Sequence, residues 1–219
     1  MVSYSKKEKY LIFAFLALSL LYIVLIPFIK SVPLLYVLKD VPDVILAILA
    51  LGAISGIRGK LLFASYMLCA VAGLALDLPI DNSFLLGLVI FLLGHTGYII
   101  TFSRDFMWQP VRLWLVVAAL IYAGGLALLF APYVGSFLIP VYCYIAVITL
   151  MFIFAALRGS SNHFVIYGAL LFLISDSALA INMFITPLPG QDYIVMITYF
   201  AAQFFILFGF LEDKYHKST

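Results

Sequence analysis

Eight apolar stretches follow one another between Tyr10 and Leu211, each about twenty residues long, the length that carries a helix across a bilayer. They run Tyr10–Phe28, Leu34–Ile54, Lys60–Leu78, Ser83–Phe102, Val111–Ala131, Gly135–Leu157, Phe164–Ile185 and Tyr193–Leu211. Short breaks holding proline, glycine or charge separate them, the first ending at Pro33, and a polar tail starts at Glu212. Inside lipid every backbone polar group needs an internal partner, so only helices or a closed barrel can span. A barrel would need short alternating strands, and the sequence has none. The pattern therefore predicts an all-α, polytopic membrane protein with eight transmembrane helices. It forms one transmembrane helical-bundle domain over residues 1–219, without room for a soluble domain.

Composition agrees: 66% of the residues are hydrophobic and 10% charged, against about 45–50% and about 25% in soluble domains. With a net charge of only +2, secreted, disordered and nucleic-acid-binding classes are excluded. Cys69 and Cys143 lie in apolar runs and read as small hydrophobes rather than a disulfide or a zinc site. Lys6, Lys7 and Lys9 before the first stretch suggest a signal peptide. That stretch is longer than a signal core and is followed by Lys30 and Pro33 instead of a small-residue cleavage site, so it is expected to be a retained span.

Basic residues set the orientation. With the N-terminus inside, Lys6, Lys7, Lys9, Arg58, Lys60, Arg104, Arg112, Arg158, Lys214 and Lys217 all fall on the inner side, ten of the twelve positive charges. Both termini are thus expected in the cytoplasm. A multi-pass protein of a bacterial inner membrane is the expected setting.

Against this background the seventh stretch stands out, because Asp176 lies near its middle. An aspartate at the centre of a membrane helix costs about 2.5–3.5 kcal/mol on insertion scales. Such a group faces the bundle interior or a wet cavity. At about 1.5 Å of rise per residue, other polar residues reach the same outer half of the membrane. Lys39 and Asp43 are spaced i,i+4 in the second stretch, Asp77 ends the third, Asn182 follows Asp176, and Thr198, Tyr199 and Gln203 lie in the eighth. In the fourth, Phe84, Gly87, Phe91, His95, Tyr98 and Phe102 recur on one helical face, with Gly87 and Gly94 suited to close helix approach.

Each polar residue also has a plainer reading. Asp43 can be the ion-pair partner of Lys39, Asp77 a solvated helix end, and His95 a histidine satisfied by a backbone carbonyl. Tyr199 and Gln203 can be interhelical glue. Asp81, Asp105, Asp192, Glu212 and Asp213 read as solvated loop charges. The sequence shows no metal-ligand spacing, since His163 and His216 lie at the inner surface far from His95. It calls for no cofactor. Ser175 has no evident histidine partner for nucleophilic work.

The residues resemble the YhhN-like lysoplasmalogenases, eight-helix membrane proteins. The likeness rests on Phe84-x-x-Gly87-Leu88-x-x-Phe91-x-x-Gly94-His95-x-x-Tyr98 and on Tyr144 to Met151. It continues in Phe172-x-x-Ser175-Asp176-x-x-Leu179-Ala180 and in Thr198-Tyr199-x-x-Ala202-Gln203. Where the family usually reads Gly-Asp at the end of the third helix, this chain reads Leu76-Asp77. The family's lysine-proline element appears only as Lys39 with Pro42.

The resemblance implies hydrolysis of the vinyl-ether bond of lysoplasmalogens, giving a fatty aldehyde and glycerophosphoethanolamine or glycerophosphocholine. That chemistry suits paired carboxyl groups, one protonated to act as acid and one ionised to steady the cation and activate water. Asp77 and Asp176 are the expected catalytic pair. Asp43, His95, Tyr98, Asn182, Tyr199 and Gln203 are expected around the substrate, with Lys39 at the headgroup phosphate. The implied partners are a lysophospholipid and membrane lipid; no oligomeric state is implied. Two alternatives stand beside it: a proton-coupled small-solute transporter, which would place polar residues through both membrane halves, and a lipid-binding membrane protein without turnover.

Overall fold

The computed structural model describes residues 4–31 and 34–216, so Pro33 and Lys217 lie outside the described residues. The helices are α1 (Lys6–Leu25), α2 (Leu34–Leu38), α3 (Val41–Ala53), α4 (Gly56–Leu76), α5 (Ser83–Ser103), α6 (Leu113–Phe130), α7 (Leu138–Ala156), α8 (Phe164–Phe184) and α9 (Gln191–His216). Among the described residues seven spans are long and apolar enough to cross a membrane. Among the described residues there is no strand, only one isolated bridge, Phe106 with Arg158. The expected all-α polytopic architecture is what the chain adopts.

The second stretch differs from a single continuous helix: it is broken between Leu38 and Val41. Pro42 has no N–H to give the carbonyl of Leu38, so α2 stops there and α3 restarts with proline in its first turn. The 13 residues of α3 rise only about 20 Å. The break leaves Lys39 and Asp40 in a turn, and the i,i+4 relation expected between Lys39 and Asp43 does not form.

Both chain ends also depart from expectation. α1 starts at Lys6 because Ser5 and Glu8 form a capping box, Glu8 N donating to Ser5 Oγ (3.2 Å) and Ser5 N to Glu8 Oε2 (2.7 Å). α9 runs through the expected polar tail to His216. Its last turn docks on α1: Tyr215 OH donates to Glu8 Oε2 (2.6 Å), Lys214 Nζ to Glu8 Oε1 (3.1 Å), and Tyr4 OH to Glu212 Oε1 (2.6 Å). These bonds put both ends of the described chain at one end of the bundle, where Arg58, Arg112 and Arg158 also gather and which the charge pattern leads one to expect as the inner end.

That inner end corrects the reading of Asp105 and Asp213 as solvated charges. Arg158, 2% exposed, donates to Asp213 Oδ2 at 2.7 Å and to Asp105 Oδ2 at 3.3 Å, with its guanidinium 4.1 Å over the Phe210 ring. Arg58 reaches Asp105 at 2.5 Å, and Ser160 and Asn162 each donate to Asp213 at 2.6 Å. A charge buried this deeply needs such partners to offset desolvation.

Helix pairs α4–α5 and α8–α9 lie closest. Gly94 and Gly87 notch α5 so that Cys69, Ser65 O and Leu76 of α4 fit against it, as the glycine spacing predicts. Leu46, Leu62, Tyr66, Phe102, Phe172 and Ile206 fill the centre with almost no exposure. Trp114, Val117, Ile121 and Leu128 of α6 point outward, as side chains bathed in lipid do. Cys69 is buried, Cys143 exposed, and each is free.

Candidate functional site

A cavity of about 690 Å³ opens at the end of the bundle opposite the termini. Its walls come from the last turn of α1 (Tyr22), the broken step (Lys39, Asp40), the end of α4 (Gly73, Asp77), the start of α5 (Phe84, Phe91), α8 (Ser175, Asp176) and the start of α9 (Asp192, Tyr199). Four carboxylates, Asp40, Asp77, Asp176 and the exposed Asp192, therefore line one enclosure. Among the described residues no group of three or more histidines, cysteines or carboxylates is arranged to hold a metal.

Asp77 sits at the C-cap of α4, where its side chain forms an ion pair with Lys39. Lys39 also donates to Gly73 O at 3.0 Å. The lysine expected at a phosphate thus stands at the cavity wall beside one of the two expected catalytic residues, and its ion-pair partner is Asp77 rather than Asp43.

Asp176 has different company. Tyr144 OH on α7 donates to its Oδ2 at 2.6 Å, and His95 Nε2 on α5 lies 3.7 Å from the same oxygen. His95 is fully buried; its Nδ1 donates to Phe91 O at 2.7 Å, which leaves Nε2 without a partner and facing Asp176. The plainer reading of this histidine, satisfaction by a backbone carbonyl, accounts for Nδ1, and the same bond fixes the ring with Nε2 toward the carboxyl. The Phe172 ring packs edge-on against the imidazole at 4.9 Å.

A second, narrower chamber adjoins the cavity, lined by apolar side chains that include Leu88, Leu126, Phe130, Ile145 and Ile148 from α5, α6 and α7. Phe84, Phe91, Leu76, Leu179 and Asp176 line both spaces. Asp176 consequently stands where a polar compartment meets an apolar one.

Behind the wall runs a chain of hydrogen bonds that ends on Asp43. Tyr199 OH donates to Asp43 Oδ2 (2.5 Å), Gln203 Nε2 to Tyr199 OH (3.1 Å), Tyr98 OH to Gln203 Oε1 (2.6 Å), and Tyr66 OH to Gln203 O (2.8 Å). Of the residues expected around a substrate, Lys39 and Tyr199 line the cavity, while Asp43, His95, Tyr98 and Gln203 form the layer behind it. Asn182 is not drawn in: its Oδ1 accepts from Leu188 N at 3.0 Å and shapes the loop after α8. Ser175 Oγ donates to Val195 O at 3.1 Å, tying α8 to α9.

Asp40 and Tyr144 carry more of the site than their sequence positions suggest. The signal for Asp40 was Lys39-Asp40-x-Pro42-Asp43, a proline and three charges crowded inside an apolar stretch. Asp192, expected to be a solvated charge, lies at the cavity wall.

The profile of the YhhN family matches residues 34–210. The chain belongs to the YhhN family. The matched region contains every residue of the cavity wall from Lys39 to Tyr199 and the layer behind it to Gln203. Named relatives of this YhhN chain are lysoplasmalogenases. One is lysoplasmalogenase TMEM86B of Sus scrofa, 33% identical over 140 residues, 64% of this chain and 59% of the relative. Another is lysoplasmalogenase TMEM86B of Homo sapiens, 30% identical over 164 residues, 75% of this chain and 69% of the relative. A third is the lysoplasmalogenase of Mycobacterium bovis, 30% identical over 177 residues, 78% and 68%. The chain thus spans less than two thirds of the pig relative's length. No solved structure matches it.

Proposed function

We propose that this YhhN protein is a lysoplasmalogenase, hydrolysing the vinyl ether of 1-alkenyl-glycerophosphoethanolamine or -choline to a fatty aldehyde and the glycerophospho-alcohol. The relatives' names support the reaction, and the observation that carries its location is the place of Asp176, at the wall shared by a polar cavity and an apolar chamber. In a lysoplasmalogen the vinyl ether joins the hydrocarbon chain to the glycerol headgroup. A lipid with its chain in the apolar chamber and its head in the cavity brings that bond to Asp176.

In this reading Asp176 gives its proton to the outer vinyl carbon, and the electron pair of the double bond forms the new C–H bond. The oxocarbenium ion that results takes up water, whose proton goes to a carboxylate. The hemiacetal then collapses: its C–O bond to glycerol breaks, the alcohol oxygen gains a proton, and the aldehyde leaves. One water is consumed and Asp176 regains its proton. A general acid of this kind contributes about 10²–10⁴-fold. Tyr144 holds the carboxyl in place and His95 offers a nitrogen for the proton's return. Asp77, ion-paired with Lys39, stands on the cavity wall to steady the cation and its water. Lys39 meets the phosphate. The setting proposed is a bacterial inner membrane, with the cavity in the outer half and the termini in the cytoplasm.

The test is aldehyde release from a lysoplasmalogen by purified protein in detergent, comparing wild type with Asp176→Asn and Asp77→Asn. Turnover falls at least about 10²-fold in each folded variant. Near-normal turnover removes that residue from the mechanism, and solute flux in proteoliposomes without aldehyde production replaces hydrolysis by transport.

A further inference from the structure

We infer that Asp40 receives the free glycerol hydroxyl of a lysolipid and thereby makes the cavity selective for lipids that carry one chain. This rests on the reading that a lysolipid occupies the cavity.

Asp40 occupies the N-cap position of α3, in the turn where the second stretch breaks. Aspartate is favoured there because its carboxylate accepts from the first free N–H groups of the helix. Asp40 forgoes that bond. Its side chain lies instead against Gly73 of α4, where any Cβ would collide with Oδ1. The residue is 4% exposed and lines the cavity, yet its Oδ2 has no hydrogen-bond partner. Of the other carboxylates at the wall, Asp77 is engaged by Lys39 and Asp176 by Tyr144, while Asp192 is exposed to solvent. A buried acceptor without a donor carries its full desolvation penalty, and a ligand donor relieves it.

The position identifies that donor. Lys39 Nζ donates to Gly73 O at 3.0 Å, so Lys39 and Asp40 converge on the same glycine. In a lysolipid the free hydroxyl stands on the carbon between the phosphate-bearing and ether-bearing carbons. A group beside the phosphate-binding cation therefore meets this hydroxyl. A two-chain lipid has an ester at that carbon, which brings no donor and sets another oxygen against Oδ2. Sites that bond a substrate hydroxyl can reject analogues lacking it by about 10⁴-fold.

The experiment measures binding, so it does not depend on turnover. A saturated 1-O-alkyl-glycerophosphocholine and its 2-deoxy analogue compete with a fluorescent lysolipid on purified protein in detergent. Wild type is expected to prefer the hydroxyl form by at least about tenfold. Asp40→Ala and Gly73→Ala, the second of which keeps the carboxyl but displaces it, are expected to bind both forms alike, with deoxy affinity as in wild type. A wild type without preference, a preference retained in both variants, or a wild type that binds neither lipid overturns the inference. Aldehyde release is followed in parallel. Hydroxyl preference without aldehyde removes the hydrolysis reading and leaves Asp40's role standing, and aldehyde without the preference does the reverse.

Discussion

At the end of the bundle where the termini meet, Arg158 is 2% exposed, and its guanidinium is held by Asp105, Asp213 and the Phe210 ring, while Nε of Arg158 and of Arg58 are left unpaired. At the other end Asp40, Asp43 and His95 are buried as deeply, and each keeps an acceptor atom without a donor: Oδ2, Oδ1 and Nε2. In the first arrangement every carboxylate oxygen of Asp105 and Asp213 is taken by a donor, and what is left over is donor atoms. Arg112 extends it by donating to Ala156 O and Arg158 O at 3.1 Å and to Ser160 O at 3.2 Å, so charge there joins α5, α6, α7, α8 and α9. In the second, Asp43 and His95 are each held through one atom and present the other, while the Asp40 carboxyl rests against Gly73. Buried polar groups in folded proteins are overwhelmingly satisfied, so a cluster of open acceptors beside a cavity signals a place meant for something else.

The two ends should therefore fail in opposite ways. Asp176→Asn is expected to cost turnover about 10³-fold, while the detergent-solubilised protein stays monodisperse and its thermal midpoint holds or rises. A large drop in the midpoint would make Asp176 a structural residue like Arg158. Arg158→Met should do the converse, stranding Asp105 and Asp213 for a loss of about 3–5 kcal/mol in stability. Specific activity of the fraction that folds is expected to match wild type, and a loss of activity there would tie the inner end to the chemistry. Tyr144→Phe removes the single hydroxyl that Asp176 accepts from, for a fall in kcat of about tenfold and a stability change near 1 kcal/mol. Asp105→Asn has the smallest effect, about 1 kcal/mol, because Asp213 still holds Arg158 and Arg58 is partly solvated. Its turnover should not move, which a steady-state aldehyde assay checks.

Much of this was legible in one dimension because it depends on hydrophobicity and helical spacing. Seven of the eight expected spans fall within a few residues of the helices observed. The glycine face of the fourth stretch does pack on its neighbour. The cost of burying Asp176 pointed to a cavity, and the carboxyl does line one. What failed were inferences that assumed regular helix or assumed solvent. Lys39 and Asp43 looked paired only if no break fell between them, and Pro42 puts one there. Asp105 and Asp213 looked solvated because they stand at span ends, and only the fold carries Arg158 to them.

The sequence by itself determined that this chain crosses a membrane as helices, and it pointed to carboxylates from separate helices gathering toward one end of the bundle. Those follow from the free energy of each stretch in lipid, which depends on that stretch alone. The tertiary structure decided which carboxylate meets a lysine, which meets a phenol, and which is left open. Such pairings depend on side-chain positions from helices far apart in the chain, and they separate Asp77, Asp176 and Asp40 by the neighbours that packing brings to each.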